Sequence, residues 1–303
     1  MNIDRSIILR PETQLERVVS TNSRVIAEMI NASLLLAKSV ASAEISESAT
    51  VQYNRGVAYY YGHGVPQDYV EAAKWFRIAA ERANPGAQNG LGRCYNHGQG
   101  VLKDYGEAVK WYGFSARNGN ALGQCALGVC YENGWGISQD HVEAARWYCR
   151  AAVQGDALGE FCLGFCYESG QGLLQDYDKA VDWYRKAAAK GNGDAQLKLG
   201  NCYLKGNGVP EDPAKAVHWY RMAAEQGDAS GQWNLGLCYR HGYHVQTAVA
   251  EAFKWFQLAA DQGDEKARHE ALALLGLMTP LEVDSANKLY RAVKDKLLTR
   301  NIV

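Results

Sequence analysis

The eight cysteines are the side chains of this sequence best suited to chemistry, and their spacing decides what they could do. Three of them, Cys125, Cys149 and Cys162, follow no regular step, and no Cys-x-x-Cys or Cys/His spacing typical of a zinc site surrounds them. A redox or metal role for these three is therefore the weaker interpretation. The other five recur every 36 residues, at a position where a small apolar side chain packs well in a core: Cys94, Cys130, Cys166, Cys202 and Cys238.

Histidine, glycine-rich and carboxylate patterns give no catalytic signature either. His241 and His244 are the closest histidine pair, but no thiolate or carboxylate joins them at metal-site spacing. Gly-x-Gly stretches such as Gly62-His63-Gly64 follow helical rather than strand patterns, which argues against a phosphate-binding turn. No Gly-x-Ser-x-Gly elbow and no distinctive carboxylate pair is present. We therefore predict a protein that is not an enzyme and that carries no cofactor and no metal.

The charge and hydropathy of the chain narrow the classes of partner. Lys and Arg number 32 against 33 Asp and Glu, a formal charge of -1, so nucleic acid and anionic membrane surfaces are disfavoured as partners. The longest uncharged stretch near the N-terminus, 29–37, is far too short for a membrane span. Without a convincing secretion signal, eight cysteines are expected to be reduced thiols. We predict a cytoplasmic protein; the alternative is export without a conventional signal peptide.

An internal repeat of 36 residues organises most of the chain. Tyrosine, glycine and alanine positions keep the same step as the tryptophans, and four positions in one register identify six consecutive units. The tryptophans that mark the units are Trp75, Trp111, Trp147, Trp183, Trp219 and Trp255.

Each unit has the pattern of two helices. In unit two, Leu91, Tyr95 and Gly98 fall at spacings of three and four, which predicts a helix A that ends at the glycine. A short loop then leads to Asp104, which can cap helix B, and Glu107 completes a capping-box pattern with it. We expect the tryptophans of helix B to be buried and to form a spine through the array. Since one helix pair cannot cover its own apolar side, an isolated unit should not fold.

The unit pattern resembles the Sel-one-like repeat, a relative of the tetratricopeptide repeat. The resemblance implies an all-α fold, an α-solenoid in which antiparallel helix pairs form a right-handed superhelix with helical caps. It also implies adaptor and scaffold roles in protein degradation, envelope assembly, signalling or host–microbe contact. The residues that carry the resemblance in unit two are Ala87, Leu91-Gly92, Tyr95, Gly98, Gly100-Val101, Asp104, Ala108, Trp111, Ser115-Ala116 and Gly119.

The limits of the repeat divide the chain into three segments. Residues 49–266 hold the six repeats, 267–303 a partial repeat and a C-terminal capping helix, and 1–48 an N-terminal helical extension or cap. A partial seventh helix A is predicted at 265–275 and a closing helix over the last interface at 281–298. In unit six Ala248 replaces the capping Asp, as expected of a degenerate outer unit. The apolar positions of 1–48 favour a cap packed on unit one; the alternative is a dimerisation or partner-docking helix, and the oligomeric state stays open.

The related tetratricopeptide fold implies that helix A lines the concave groove and that the residues that vary along it select the partner. The positions concerned lie two before and two, five and six after the Leu91-type residue. Mixed aromatic, charged and amide side chains at these positions suit a protein or peptide partner. The candidate partner-binding residues are Tyr60, Tyr61, Asn89, Arg93, Asn96, His97, Glu132, Asn133, Phe165, Glu168, Asn201, Lys205, Trp233, Arg240 and His241.

These features favour a protein–protein interaction scaffold or adaptor that binds its partner in the concave groove. The alternatives are a non-catalytic regulatory subunit or activator of an enzyme complex and a secreted host-interaction factor. For any single groove residue, the competing interpretation is neutral surface variation or packing between units.

Overall fold

The computed structural model describes residues 47–243, 245–246 and 248–300, and within them the chain forms fourteen α-helices and no strand. The prediction of an all-α solenoid built from six helix pairs is confirmed, and the helix predicted at 265–275 is α13. Odd-numbered helices up to α11 are helix A of units one to six, and even-numbered helices up to α12 are helix B. The helices are α1 Ala49–Tyr61, α2 Tyr69–Glu81, α3 Pro85–His97, α4 Tyr105–Arg117, α5 Ala121–Asn133, α6 His141–Val153, α7 Ala157–Ser169, α8 Tyr177–Ala189, α9 Gly193–Lys205, α10 Pro213–Glu225, α11 Ala229–His241, α12 Val249–Asp261, α13 Glu265–Leu275 and α14 Pro280–Arg300.

The helices stack so that each unit completes the core of its neighbour. Helix B packs on the helix A of its own unit and on the helix A of the next unit. The helix A of each of units one, two and three also contacts the helix A of the next unit. Such contacts between A helices are expected on the inner side of a curved stack.

The Gly-x-Gly loop between helix A and helix B has a structural role. Gly98 ends α3 in the left-handed conformation, with φ 70°, and its amide donates to the carbonyl of Cys94. Gly100 also has a positive φ, and a Cβ added to it would lie 1.9 Å from the carbonyl oxygen of Tyr69. The loop of one unit therefore rests on the first turn of helix B of the unit before, and only glycine permits that approach.

The predicted capping of helix B by aspartate is confirmed, but the second half of the capping box is not formed. The Asp104 carboxylate accepts a bond from the Glu107 amide at 3.0 Å. The Asp104 amide donates instead to the Tyr95 carbonyl at 3.0 Å, and the Glu107 side chain pairs with Lys110. The turn after helix A brings that carbonyl within reach, so the glutamate is not needed there. In unit six Ala248 provides no side-chain cap for α12.

The buried aromatic spine runs through a different position from the one predicted. Only Trp75 and Trp255, each 4 % exposed, are buried; the four tryptophans between them are half-buried. The residue after each tryptophan is buried in every unit, because it points at the helix A of its own unit. These residues are Phe76, Tyr112, Tyr148, Tyr184, Tyr220 and Phe256.

A glycine on helix A makes room for each of these rings. A Cβ added to Gly92 would lie 2.6 Å from a ring carbon of Tyr112, and one added to Gly200 would lie 2.4 Å from a ring carbon of Tyr220. The same contact recurs at Gly56, Gly128, Gly164 and Gly236. In the Leu-Gly pair of the repeat, the leucine therefore belongs to the core and the glycine leaves the space that the ring of helix B fills. This space is called the ring socket.

The two ends of the chain close the stack differently. The predicted N-terminal extension, 1–48, and its alternative as a dimerisation helix lie almost wholly outside the described residues. At the other end, α14 packs mainly on α12 rather than on α13. Ala286 joins the last core, beside Ala267 and Leu274, while Leu297 reaches back towards Gly227. The closing helix thus covers the last interface with its first half and folds back over the B-helix side with its second half.

Candidate partner-binding surface

The predicted site residues all lie on the A helices and fall into three separate groups; the face that the A helices form is called the inner surface. Position five denotes the fifth residue after the Leu91-type residue of each unit, and position minus one denotes the residue just before that leucine. Position five is Tyr60, Asn96, Glu132, Glu168, Leu204 and Arg240 in units one to six. The structure shows what each group contacts within the chain.

The first group joins units one and two through Arg93. The guanidinium carbon of Arg93 lies 4.0 Å from the ring centre of Tyr60 and 5.3 Å from that of Tyr61, and Arg93 donates to the Tyr61 hydroxyl at 2.9 Å. Tyr60 is buried and donates its hydroxyl to the side chain of Gln99. Tyr61 is 50 % exposed. Arg93 and Tyr61 thus offer a polar and aromatic surface, with Tyr60 as its support.

The remaining candidates of unit two form a polar patch beside this group. Asn89 and Asn96 are half-buried and His97 is exposed. The side-chain nitrogen of Asn96 lies 3.4 Å from a ring nitrogen of His97. These side chains can donate hydrogen bonds to a bound segment and accept hydrogen bonds from it.

The second group surrounds a cavity of about 260 Å³ between units three, four and five. Phe161, Cys162 and Phe165 line it, with Glu132 and Lys198 at its polar edge. The Lys198 ammonium lies 4.9 Å from the ring centre of Phe165. Aromatic walls with a carboxylate at the edge suit an incoming side chain.

Buried tyrosines of helix B donate hydrogen bonds to Glu132 and Glu168, the position-five residues of units three and four. Tyr148 donates its hydroxyl to Glu132 at 2.7 Å, and Tyr184 donates to Glu168. Burial raises the pKa of the Tyr148 hydroxyl, and the neighbouring Cys162 and Glu132 raise it further. The hydroxyl therefore remains a hydrogen-bond donor at neutral pH. Asn133, next to Glu132, is exposed and donates to the Val129 carbonyl at 2.9 Å.

The candidates of units five and six are mostly engaged with their own chain. Asn201 accepts the Tyr220 hydroxyl at 2.8 Å, and Trp233 packs with its ring centre 5.2 Å from that of Phe256. Arg240 forms an ion pair with Glu270. Lys205 and His241 are exposed. This end offers fewer unengaged groups to a partner than the centre does.

Position minus one was not among the predicted site positions, yet it faces position five of the preceding unit. Lys198 bonds Glu168 at 2.9 Å through this relation, and Glu270 meets Arg240 in the same way. The signal was present in the sequence, because opposite charges recur at a spacing of 30 residues in both pairs. Four positions taken from a related fold could not show it, since it depends on how helix A of one unit meets the next.

All eight cysteines are free thiols, and the five at the repeated position are buried as predicted. Burial raises the pKa of Cys94 and Cys238 to about 11. For Cys162, burial and then the nearby Glu132 raise the pKa to about 12. Thiols held in their neutral form are poor nucleophiles and poor metal ligands. Within the part of the chain that the structure describes, no three His, Cys, Asp or Glu side chains gather as a metal site.

None of the helices described here is both long and apolar enough to cross a membrane. Among 47–300, apart from 244 and 247, the longest helix is α14, and it is rich in charged residues.

Comparison with known proteins identifies the repeat. The model of the Sel1 repeat matches six consecutive segments, residues 49–84, 85–120, 121–156, 158–192, 193–228 and 229–264. No curated protein matches the sequence significantly.

Two solved structures are similar in both sequence and fold. A Sel1 repeat protein from Oxalobacter formigenes has 33 % sequence identity and a TM-score of 0.67, and the match covers 72 % of this chain and 86 % of that one. A protective antigen present in uropathogenic Escherichia coli strains, which displays an SLR fold, has 32 % identity and a TM-score of 0.52. That second match covers 82 % of this chain and 61 % of the antigen.

Proposed function

Because this chain belongs to the Sel1 repeat family, whose members are generally protein-interaction scaffolds, we propose that it is an adaptor that holds a segment of a partner protein on its concave face. The fold is typically non-catalytic, and the proposal assigns the chain neither an enzymatic activity nor a cofactor. Nucleic acid is not the proposed partner, because the chain has a formal charge of only -1.

The observation that carries the proposal is that repeated and varied residues occupy different parts of the structure. The repeated leucines, glycines and buried rings form the core, whereas helix A presents residues that differ from unit to unit on the inner side. Two of the resulting groups lie near the surface and combine aromatic with charged side chains, one at Tyr61 and Arg93, the other at Glu132 and Phe165. Aromatic and arginine side chains commonly dominate the binding energy of protein interfaces.

A photo-crosslinking experiment tests the assignment of the face. A benzophenone amino acid replaces Asn133 on the inner side, and in a matched protein it replaces Asp182, an exposed residue of α8 on the B-helix side. We expect irradiation in cells to join the chain to a defined partner from position 133 and not from position 182. Equal crosslinking from both positions, or none from 133, would contradict the proposed face.

Variants of the two groups complete the test. Tyr61→Ala and Phe165→Ala are expected to weaken capture of the crosslinked partner, while Asp182→Asn leaves it unchanged. Circular dichroism shows whether each variant retains its helices. Folded variants that capture the partner as well as the wild type would refute the concave assignment.

The resemblance to the E. coli protective antigen supports a second candidate, a role in contact with a host. Against export, all eight cysteines are free thiols, which is typical of a reducing compartment. We therefore propose the cytosol as the location. Fractionation of the source cells separates the candidates, since the chain in the culture medium would favour the host-contact role.

A further inference from the structure

Two of the charged residues at position five are neutralised by the following unit. The Glu168 carboxylate in unit four pairs with Lys198 of unit five at 2.9 Å, and Arg240 of unit six pairs with Glu270 of the partial unit. In both cases the counter-ion comes from position minus one. Pairing across the unit boundary is thus the rule for these charges on the inner surface.

Glu132 in unit three departs from that rule. Position minus one of unit four is Cys162, which carries no positive charge, and within the described residues Glu132 forms no ion pair. Among the residues that the structure describes, its side chain accepts one hydrogen bond, from the neutral Tyr148 hydroxyl. Lys198 lies at the same cavity, but its ammonium is already held by Glu168. The carboxylate is therefore half-buried at the edge of a cavity, without the cation that Glu168 has one unit further on.

The cavity beside Glu132 has the walls that a long cationic side chain needs. Phe161 and Phe165 provide apolar surface for its methylene stem, and Glu132 provides a carboxylate for its positive head. The cavity of about 260 Å³ has room for one such side chain. The charge of Glu132 and the size of the cavity therefore both favour a long cationic side chain as the ligand.

We propose that this cavity is the specificity site of the concave face and that it receives a lysine or arginine side chain of the partner segment, with the cationic head on Glu132 and the stem against Phe161 and Phe165. The partner supplies the cation that Lys198 supplies to Glu168 one unit further on. The inference rests on the proposed function, because it assumes that a protein segment lies on the inner face.

The test selects peptides from a phage-displayed library of random short sequences on the immobilised full chain. Glu132→Gln removes the negative charge. Cys162→Lys places the missing cation inside the protein, and Cys162→Ala is its matched control, since it alters the same position without adding charge. Asp182→Asn on the B-helix side controls for the loss of a carboxylate elsewhere.

We expect the wild type and Cys162→Ala to enrich peptides with a lysine or arginine beside an apolar residue. The best of these peptides, measured by fluorescence anisotropy, should bind Glu132→Gln and Cys162→Lys about tenfold more weakly or worse, as for loss of a charge-assisted bond. Its affinity for Asp182→Asn should not change. Rising salt concentration should weaken binding to the wild type.

Three results would overturn the inference while leaving the proposed function in place. The wild type could enrich peptides without a basic residue, or enrich no peptide at all, or the basic peptides could bind Cys162→Lys and Glu132→Gln as tightly as the wild type. The proposed function is tested separately, by the crosslinking from Asn133 and the capture by Tyr61→Ala and Phe165→Ala. If Cys162→Lys does not fold, Glu132→Gln alone still decides the outcome.

Discussion

Lys190 donates a hydrogen bond to Glu160 at 2.6 Å and so pairs with a carboxylate that is almost fully buried. The Glu160 side chain is 4 % exposed and that of Lys190 is 41 % exposed. Other units place amides at the same two positions, also 30 residues apart. These amide pairs are Gln88–Asn118, Gln124–Gln154, Gln196–Gln226 and Gln232–Gln262.

In the other units the buried amide makes two hydrogen bonds, one at each end, whereas the carboxylate of unit four makes only one of them. The Gln124 side chain donates to the Ala116 carbonyl at 3.1 Å and accepts from Gln154 at 2.7 Å, so both ends are satisfied. Glu160 has no proton to donate when ionised, and its second oxygen is buried without a hydrogen-bond partner in the described part of the chain. The ion pair with Lys190 thus replaces the amide pair but satisfies only one of the two carboxylate oxygens.

We predict that Lys190→Ala lowers the free energy of unfolding by about 1–3 kcal/mol, because it leaves the buried Glu160 carboxylate unpaired. The double variant Glu160→Gln with Lys190→Gln should be at least as stable as the wild type, because it rebuilds the pair seen at Gln124 and Gln154. Urea denaturation of the wild type, both single glutamine variants and the double variant gives the coupling energy. A double variant less stable than both single variants would contradict this account.

We predict that Gly200→Ala destabilises the protein by about 1–3 kcal/mol through overpacking against Tyr220. The added Cβ would lie 2.4 Å from a ring carbon, and the ring is 1 % exposed with its hydroxyl bonded to Asn201. Gly193→Ala is the matched control in the same helix, since a Cβ there meets nothing within 4 Å. Thermal melting followed by circular dichroism compares the two, and equal melting temperatures would refute the proposed ring socket.

The sequence predicted the fold well because repetition makes each structural signal visible six times. Spacing located the helices, Gly98 ended helix A and Asp104 capped helix B as expected. Trp111 was expected in the core and is only half-buried, while Tyr112 is buried. Neighbouring aromatic residues differ by about 100° around a helix, and the repeat pattern alone does not say which of them faces helix A.

The candidate surface was predicted less completely than the fold. Spacing relative to Leu91 found Tyr61 and Glu132, both of which belong to the inner groups. It could not find Lys198 or Cys162, because Lys198 pairs with Glu168, and Cys162 lies beside Glu132, across a unit boundary. Contacts between units depend on the rotation from one helix pair to the next, which no single unit encodes.

We predict that one of the eight thiols reacts quickly with Ellman's reagent in the native protein. Cys149 is exposed, whereas Cys94, Cys130, Cys166, Cys202 and Cys238 are buried. Burial raises the pKa of the Cys130 and Cys202 thiols to about 11, so they hold little of the reactive thiolate near neutral pH. Cys149→Ser should abolish the fast phase and Cys94→Ala should keep it. A fast phase that survives in Cys149→Ser would show that another thiol is accessible.

We predict that protonation of Asp261 loosens α14. Tyr290 donates to the Asp261 carboxylate at 2.6 Å, and Lys294 donates to the same carboxylate at 2.7 Å. Burial opposes ionisation of Asp261, but the bonds from Lys294, Tyr290 and Gln257 outweigh it and hold the pKa below its ordinary value of 3.8. A lowered folded pKa means that this stabilisation is fully present well above pH 3.8 and is lost as the pH falls through the lowered value.

Hydrogen exchange of the segment 285–299 measures this effect. At neutral pH, Asp261→Asn should exchange faster than the wild type, because the charged partner of Lys294 is gone. Asp284→Asn is the control, since it removes an exposed carboxylate of α14 that pairs with Lys288. The difference between Asp261→Asn and the wild type should shrink as the pH falls below 3.8. Equal exchange at neutral pH would mean that Ala286, Val293 and Leu297 alone hold the helix against α12 through their apolar contacts.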